Sequence, residues 1–471
     1  MKRIVIIGGG LSGHLLLINL LEIQTTEETE IVIIEKEPLE KVGLAYSTDL
    51  DFHLLNVPAG NMSAFHDDKP HFVNWLVSNH YKYTHSSFVP RRLYRRYIIN
   101  LLEDSVCNKP DKVKVVFVKD EAVDVDMEEK AVLLKGDRTL YFDTLVLAVG
   151  NFPPTHLDLA NNHYRKSMNY SHSAWDHAIY EHLLQNDRVF IIGTGLTMVD
   201  TLGRLQASGH KGEIVALSRH GLLPAAHKSG DPYPAFQEEL TSKTTVLDMF
   251  KVVRKHLCIA AHRGIDWRAV IDSMRAYTPE AWMALQETEK RVFMNHIRHL
   301  WDAARHRMPS ECAMMMEELI AAKRIKIVAG RMESIMMRPD NGFYISYQEH
   351  GTKELRCIAT EVIINCMGPA GNYNNIQNVL INHLLRKGIL TTGPLSLGIN
   401  CRQNGAIVDR EGTVSDCLFT IGAPMKGVLW ETTAVPEIRM QAHHLAQKIM
   451  PANLQNLIED TYSSKASAHF R

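Results

Sequence analysis

The chain has 471 residues, 45% of them apolar and 22% charged, with 7 cysteines and a formal net charge of −1. That is the composition of a globular protein long enough for two or three domains. The near-neutral balance argues against a nucleic-acid or acidic-membrane surface, and no run approaches the roughly 18 apolar residues needed to cross a bilayer. An odd number of cysteines at scattered spacing points away from a disulfide framework and towards a reducing, cytoplasmic setting.

The β-branched run Ile4-Val5-Ile6-Ile7 leads into Gly8-Gly9-Gly10-Leu11-Ser12-Gly13, and apolar residues follow over 15–21. A second strand, Ile31-Val32-Ile33-Ile34, closes on Glu35 and Lys36. Strand, tight turn, helix, strand and acid in that order form an adenine-dinucleotide cradle. Gly8 permits the tight turn, Gly10 lets the backbone approach a pyrophosphate, and Gly13 lets helix and strand pack closely. Glu35 is positioned to accept hydrogen bonds from a ribose diol. The loops at 43–46 and 54–63, which hold Tyr46, Asn56, Met62 and Ser63, suit a surface that wraps an extended cofactor. Asp68 and Pro70 before Phe72, Trp75 and Leu76 predict a capped helix, a second helix covers 93–102, and strands cover 113–118 and 131–134. Residues 143–151 read as a buried strand ending at Gly150, and 362–368 repeat the pattern up to Gly368.

Between those two strands lies a second glycine turn, Gly193-Thr194-Gly195-Leu196-Thr197-Met198, with Met198 where the third glycine would stand. The strand after it ends in Ser218-Arg219 rather than an acid. Losing the carboxylate removes a repulsion, and Arg219 can pair with a 2′-phosphate, so NADPH is expected in preference to NADH. Residues 231–323 are mostly helical in pattern, with Leu247, Phe250, Val253 and Leu257 as an apolar stripe. The insertion is rich in His and Met, but no ligand spacing is present and no metal is expected. Strands follow at 324–328, 342–347 and 418–422, the last ending at Gly422. Thr432 and Thr433 precede a helix with Pro436 in its first turn.

Several segments resemble a bacterial FAD/NAD(P)-binding protein family among the flavoproteins with two dinucleotide-binding domains. They are Gly43-Leu44-Ala45-Tyr46, Leu55-Asn56-Val57-Pro58-Ala59, Ser218-Arg219-His220-Gly221-Leu222-Leu223-Pro224, Trp301-Asp302 with Arg305-His306-Arg307, and the run from Leu429 through Trp430-Glu431-Thr432-Thr433 to Arg439. The resemblance implies an α/β fold of two Rossmann-like domains plus a helical insertion. An FAD domain (1–165 and 366–450) would enclose an NAD(P) domain (166–365, insertion at about 231–323), with a peripheral tail at 451–471. It implies FAD at the Gly8 turn, where Gly8, Gly10, Ser12 and Gly13 would line the pyrophosphate and Glu35 the ribose. Asn56, Met62 and Ser63 would approach the flavin, Gly150 would lie near the adenosine half, and Gly422, Thr432 and Thr433 would flank the ring. NADPH would occupy the Gly193 turn. Ala423-Pro424 stand where many such proteins carry an Asp.

A weaker resemblance, to flavin-dependent monooxygenases, rests on Tyr170-Ser171-His172-Ser173-Ala174-Trp175 and makes His172 the candidate catalytic residue. The expected activity is NADPH-driven hydroxylation of a small molecule by O₂. The alternatives are an NAD(P)H:acceptor oxidoreductase or oxidase without oxygen insertion, and a non-catalytic flavin-binding redox sensor. A dithiol reductase is disfavoured because the chain has no Cys-x-x-Cys pair.

Overall fold

Short β-branched and aliphatic runs form the strands of the computed structural model, which describes residues 1–451. They are β1 (Lys2–Ile7), β2 (Thr29–Glu35), β3 (Val113–Lys119), β4 (Ala122–Asp126), β5 (Ala131–Leu134), β6 (Thr139–Tyr141), β7 (Thr144–Leu147), β8 (Tyr170–Ser171), β9 (Val189–Ile192), β10 (Ile214–Ser218), β11 (Ile325–Met337), β12 (Phe343–Glu349), β13 (Leu355–Thr360), β14 (Val362–Asn365), β15 (Ala406–Val408) and β16 (Val414–Thr420). Central strands such as β7, β9 and β14 are buried at every position, as parallel strands covered on both faces must be.

The chain forms two units. One consists of Met1–Asp49, Pro58–Asn151 and the chain from Gly371, and the other of Leu50–Val57 and Phe152–Ala370. The expected domain limits lie nearby but not at the same residues. An antiparallel bridge between Phe152 and Ala370 ties both ends of the inserted segment into the second unit.

The first unit is built on a sheet in the order β15-β16-β7-β1-β2-β3, parallel except for β15, with a β4-β5-β6 meander beside it in sequence. The second has the order β13-β12-β11-β10-β9-β14-β8. Here β8 to β11 and β14 run parallel, while β12 and β13 fold back as a hairpin extension. The strand expected at 324–328 is only the first part of β11. Its residues Ile325 to Ala329 pair with β10, and those from Gly330 onward pair with β12.

From β1 in one sheet and from β9 in the other, the chain builds outward on one side and then returns to the other. The order reverses between β1 and β7 in one unit and between β9 and β14 in the other. Ligands of open α/β sheets bind outside the carboxyl ends of strands at such a switch point.

Helix Leu11–Leu21 is buried along its whole length and packs against helices Arg91–Cys107 and Val435–Ile449. The helix expected after Pro70 runs over His71–Ser78, but no side chain caps it, and the Asp68 carbonyl receives the His71 N–H instead. The insertion is helical as expected, from Gln237–Thr241 to Ser310–Ala321. Half of the predicted stripe is corrected by the structure: Leu247 and Phe250 are exposed, Val253 and Leu257 pack partly buried against the insertion's core, and the fully buried positions of Val246–His262 are Val246, Val252 and Ala260. His256 lies on the inward face, stacked on Phe236 at 3.9 Å, and a polar residue there hides the register from a hydrophobicity count. Of the tail expected at 451–471, residues 452–471 lie outside the described residues.

Candidate functional site

The first glycine turn joins β1 to helix Leu11–Leu21 at the switch point. Gly8 has φ +111, and a Cβ on it would come within 2.3 Å of the Ala148 carbonyl oxygen at the end of β7. A Cβ on Gly13 would come within 2.0 Å of the Gly8 oxygen. Both glycines are therefore demanded by the protein itself. Gly10 is different, because its missing Cβ faces space, with the Gly43 Cα 3.9 Å away as the nearest heavy atom. Helix Leu11–Leu21 begins at Gly10 with no side-chain cap and no acid in its first turn. Its N-terminal N–H groups and positive dipole end are thus left for an anion. Such a cradle fits a dinucleotide pyrophosphate.

Glu35 closes the turn from below: its carboxylate accepts from Gly9 N at 2.7 Å and from Glu37 N at 3.0 Å. Lys36 is exposed and pairs with Glu121 at 3.1 Å. Ser12 is buried against Gly422, whose φ is +79 and whose Cβ would meet Ser12 Oγ at 2.4 Å. His14, in the same helical turn, is buried, and burial holds its ring below the usual basicity. It contacts the Gly10 carbonyl at 3.1 Å through Nδ1. Nothing in the glycine spacing marked it.

The segment around Gly422 is fixed by a polar set that sequence reading half found. Thr432 Oγ1 donates to the Gly422 carbonyl at 2.9 Å, and Gln441 accepts from Gly422 N at 2.8 Å while donating to Thr432 Oγ1 at 2.7 Å. Thr432 is buried and Thr433 exposed. Trp430, just before them, has φ 61 and ψ −63, with Glu431 N bonded to the Leu429 carbonyl at 2.7 Å. That is a γ-turn at positive φ, a costly conformation for a bulky residue. Gln441 was missed because it lies one helix further along, with no local signature.

Other predicted residues fall in different surroundings. Tyr46 is half-buried against Tyr94, ring centroids 5.3 Å apart, and burial pushes its phenol up to about 12. Met62 and Ser63 are buried, and the Ser63 hydroxyl is engaged by the Asp68 carbonyl at 2.6 Å and Phe65 N at 3.1 Å. Gly150 has φ +66 with open space where a Cβ would point. Asn56 belongs to the second unit, and its carbonyl contacts His227 Nε2 at 3.0 Å.

The second turn repeats the first. Gly193 has φ +106, with a Cβ reaching the Cys366 carbonyl at 2.9 Å at the end of β14. Gly195 is more open still than Gly10, with nothing within 4 Å of its missing Cβ. Helix Leu196–Ala207 starts there with no side-chain cap and no acid in its first turn. Met198 is fully buried in the core beneath this helix, so a side chain is accommodated where the first turn tolerates only glycine. Gly368 also has open space at its Cβ position. Thr197 lines a small crevice with His53, Trp175, Asp200 and Arg204. Thr194 Oγ1 lies 2.8 Å from Ser218 Oγ and 2.6 Å from the Leu222 carbonyl, binding the turn to the loop after β10. Arg219 is exposed on that loop. His172 stacks on His156 at 3.9 Å, and burial lowers its basicity against the opposing pull of the Pro154 carbonyl.

All seven cysteines are free. Among the described residues no helix is long and apolar enough to cross a membrane.

A family model described as FAD-NAD(P)-binding matches residues 5–152. No curated protein sequence matches the chain. Among solved structures, the chain is similar to the ornithine N-hydroxylase of Kutzneria sp. 744, solved with reduced FAD, NADP⁺ and L-ornithine (TM-score 0.61, 11% identity, 95% of this chain and 99% of that one). It is similar to the cadaverine monooxygenase of Erwinia amylovora, bound to FAD (0.62, 12%, 96% and 96%). Thioredoxin reductase of Lactococcus lactis also aligns (0.50, 11%, 95% and 97%). These likenesses establish the fold as that of proteins with two dinucleotide-binding domains.

Proposed function

We propose that this chain, FAD-NAD(P)-binding by family over residues 5–152, is a flavin-dependent oxidoreductase that takes electrons from NADPH and uses O₂ to hydroxylate a small molecule. Primary aliphatic amines are the first substrates to offer, since the similar hydroxylases act on ornithine and cadaverine. The observation that carries this reading is the repetition of one device. Each sheet has, at its switch point, a glycine pinned by the neighbouring strand, a second glycine facing open space and an uncapped helix N-terminus.

When bound, FAD supplies the redox chemistry between nicotinamide and oxygen. The chain supplies position. The first-turn N–H groups after Gly10 would hold one pyrophosphate and those after Gly195 the other. Glu35, held by Gly9 N, would accept from a ribose hydroxyl, and Arg219 would pair with the 2′-phosphate. Ser12, Gly422 and Thr432, locked by Gln441, would form a rigid wall beside the flavin half, with Gly150, Met62 and Ser63 nearby in the same unit. A disulfide-reducing chemistry is disfavoured by the seven free cysteines, and the hydroxylases align better than the reductase.

The test is anaerobic mixing of the purified protein with NADPH or NADH, followed by oxygen with or without ornithine, lysine or cadaverine. The flavin absorbance is expected to bleach about tenfold faster with NADPH, the value of one charge-assisted contact. Peroxide released per NADPH should fall when an accepted amine is present, with a hydroxylated product appearing. Stoichiometric peroxide whatever amine is added would favour the oxidase reading, and a colourless protein that takes up no added FAD would overturn both.

A further inference from the structure

The loop after β10 carries more than Arg219. His220, on the same loop, stacks face to face on His299 from helix Arg298–Arg305 of the insertion, with centroids 3.9 Å apart and planes at 17°. His350, from the turn after β12, meets the edge of His220 at 5.6 Å. Three imidazoles and a guanidinium from three separate parts of the second unit thus converge where the strand after a glycine turn ends. In this topology that position faces the adenosine ribose. A π-helical turn, Phe293–Ile297, immediately precedes the helix carrying His299, and such turns recur at functional sites.

The cluster is short of negative charge. Burial, the neighbouring rings and Arg219 all hold His220 below its usual basicity. Burial, Arg219 and His296 do the same to His299, opposed only by Asp302. Asp302 is already bridged to Arg298 at 3.2 Å and faces His306 at 3.6 Å. Glu349, next to His350 in sequence, pairs with Arg356 at 3.2 Å. Packing two imidazoles face to face beside an arginine makes sense if an anion arrives to reverse the repulsion.

We propose that His299, delivered by the helical insertion, completes with Arg219, His220 and His350 a receptor for the 2′-phosphate of NADPH, and that the stacked pair His220 and His299 takes up a proton as this dianion binds. This rests on the reading of the Gly193 turn as a nicotinamide-nucleotide cradle. In the free protein burial and the neighbouring positive groups favour the neutral forms of His220 and His299, and a bound dianion favours their charged forms. Affinity therefore falls as pH rises above the phosphate's own ionisation near about pH 6. The insertion, on this account, is a specificity element for the reductant.

Calorimetric titration of the full-length protein with 2′,5′-ADP and with 5′-AMP, at about pH 6.5 and about pH 8.5, tests this without turnover. In buffers of different ionisation heat, 2′,5′-ADP should bind with net proton uptake, and its advantage over 5′-AMP should shrink about tenfold at the higher pH, equivalent to one pKa unit. His299→Gln should remove the uptake and most of that advantage while leaving 5′-AMP binding unchanged. His350→Gln, at an exposed ring, should weaken 2′,5′-ADP in the same direction with less risk to folding. Equal binding of the two nucleotides, or a preference indifferent to pH and to both substitutions, would overturn the proposal while leaving the cradle standing. Failure of both nucleotides to bind would overturn the cradle and the proposal together.

Discussion

Gly8 and Gly10 are two positions apart and answer to different masters. An alanine at Gly8 would need a left-handed φ that costs about 1–2 kcal/mol, and would drive its methyl into the Ala148 oxygen. Gly8→Ala is expected to lose folded protein, seen as a collapsed melting temperature and a poor soluble yield. Gly10→Ala meets nothing closer than the Gly43 Cα at 3.9 Å, an ordinary contact, and starts from φ −76, so its stability should stay within about 0.5 kcal/mol of the parent. Its flavin content, read from the absorbance ratio of the purified protein, should fall sharply if, as proposed, the methyl enters the pyrophosphate's space. Gly195→Ala should behave likewise for NADP⁺ and leave flavin content intact. The spacing of the glycines was legible in the sequence because it encodes backbone geometry. Which glycine serves the protein and which serves a ligand was not, since that depends on β7 and β14, far away along the chain. Gln441 and His14 were illegible for the same reason: each acts across a fold that places it, and neither stands in a recurring local pattern.

Strand–turn–helix–strand units were the most readable elements, because parallel strands buried on both faces are nearly all aliphatic. Amphipathic helices of the insertion were less so. The stripe was right at Val253 and Leu257 but wrong at Leu247 and Phe250, since inward positions of the Val246–His262 helix include His256, bonded to Tyr233 at 2.8 Å and Glu239 at 3.0 Å. Polar residues also organise the middle of the insertion. Arg307 is 2% exposed and donates to Asp272 at 2.8 Å, the Ala304 carbonyl at 2.9 Å and the Arg268 carbonyl at 3.1 Å. Arg307→Met keeps much of the volume but leaves two partly buried carbonyls without that donor. It is expected to cost about 2–3 kcal/mol in denaturant unfolding, whereas a surface change such as Arg291→Met should cost within about 0.5 kcal/mol. If the insertion unfolds separately from the sheets, the loss will show as an early first transition.

At the scale of the molecule, the expectation that no thiol relay operates can be measured directly. Cys107, Cys258 and Cys357 are exposed, while Cys366, Cys401 and Cys417 are buried. Burial pushes the Cys366 and Cys401 thiols up to about 12, so almost no thiolate exists there at neutral pH. Thiol titration of the native protein should show three fast groups and a slower one from the half-buried Cys312, with Cys366, Cys401 and Cys417 appearing only in denaturant. Anaerobic NADPH should not change the count; new thiols on reduction would argue for a disulfide-exchange enzyme instead. The two-unit plan itself was legible from paired glycine turns, but the course of the chain between the units was not, because Leu50–Val57 carries no composition that separates it from its neighbours. That short strip has a practical consequence. Phe52 lies over Gly203, where even a methyl would come within 2.7 Å of its ring, His53 reaches the Asp200 carbonyl at 3.2 Å, and Asn56 gives His227 its acceptor. Anyone cutting out residues 152–370 as a freestanding nicotinamide module discards a plug supplied from a hundred residues upstream, and the synthetic peptide 50–57, added back, should raise that fragment's melting point in proportion to its dose.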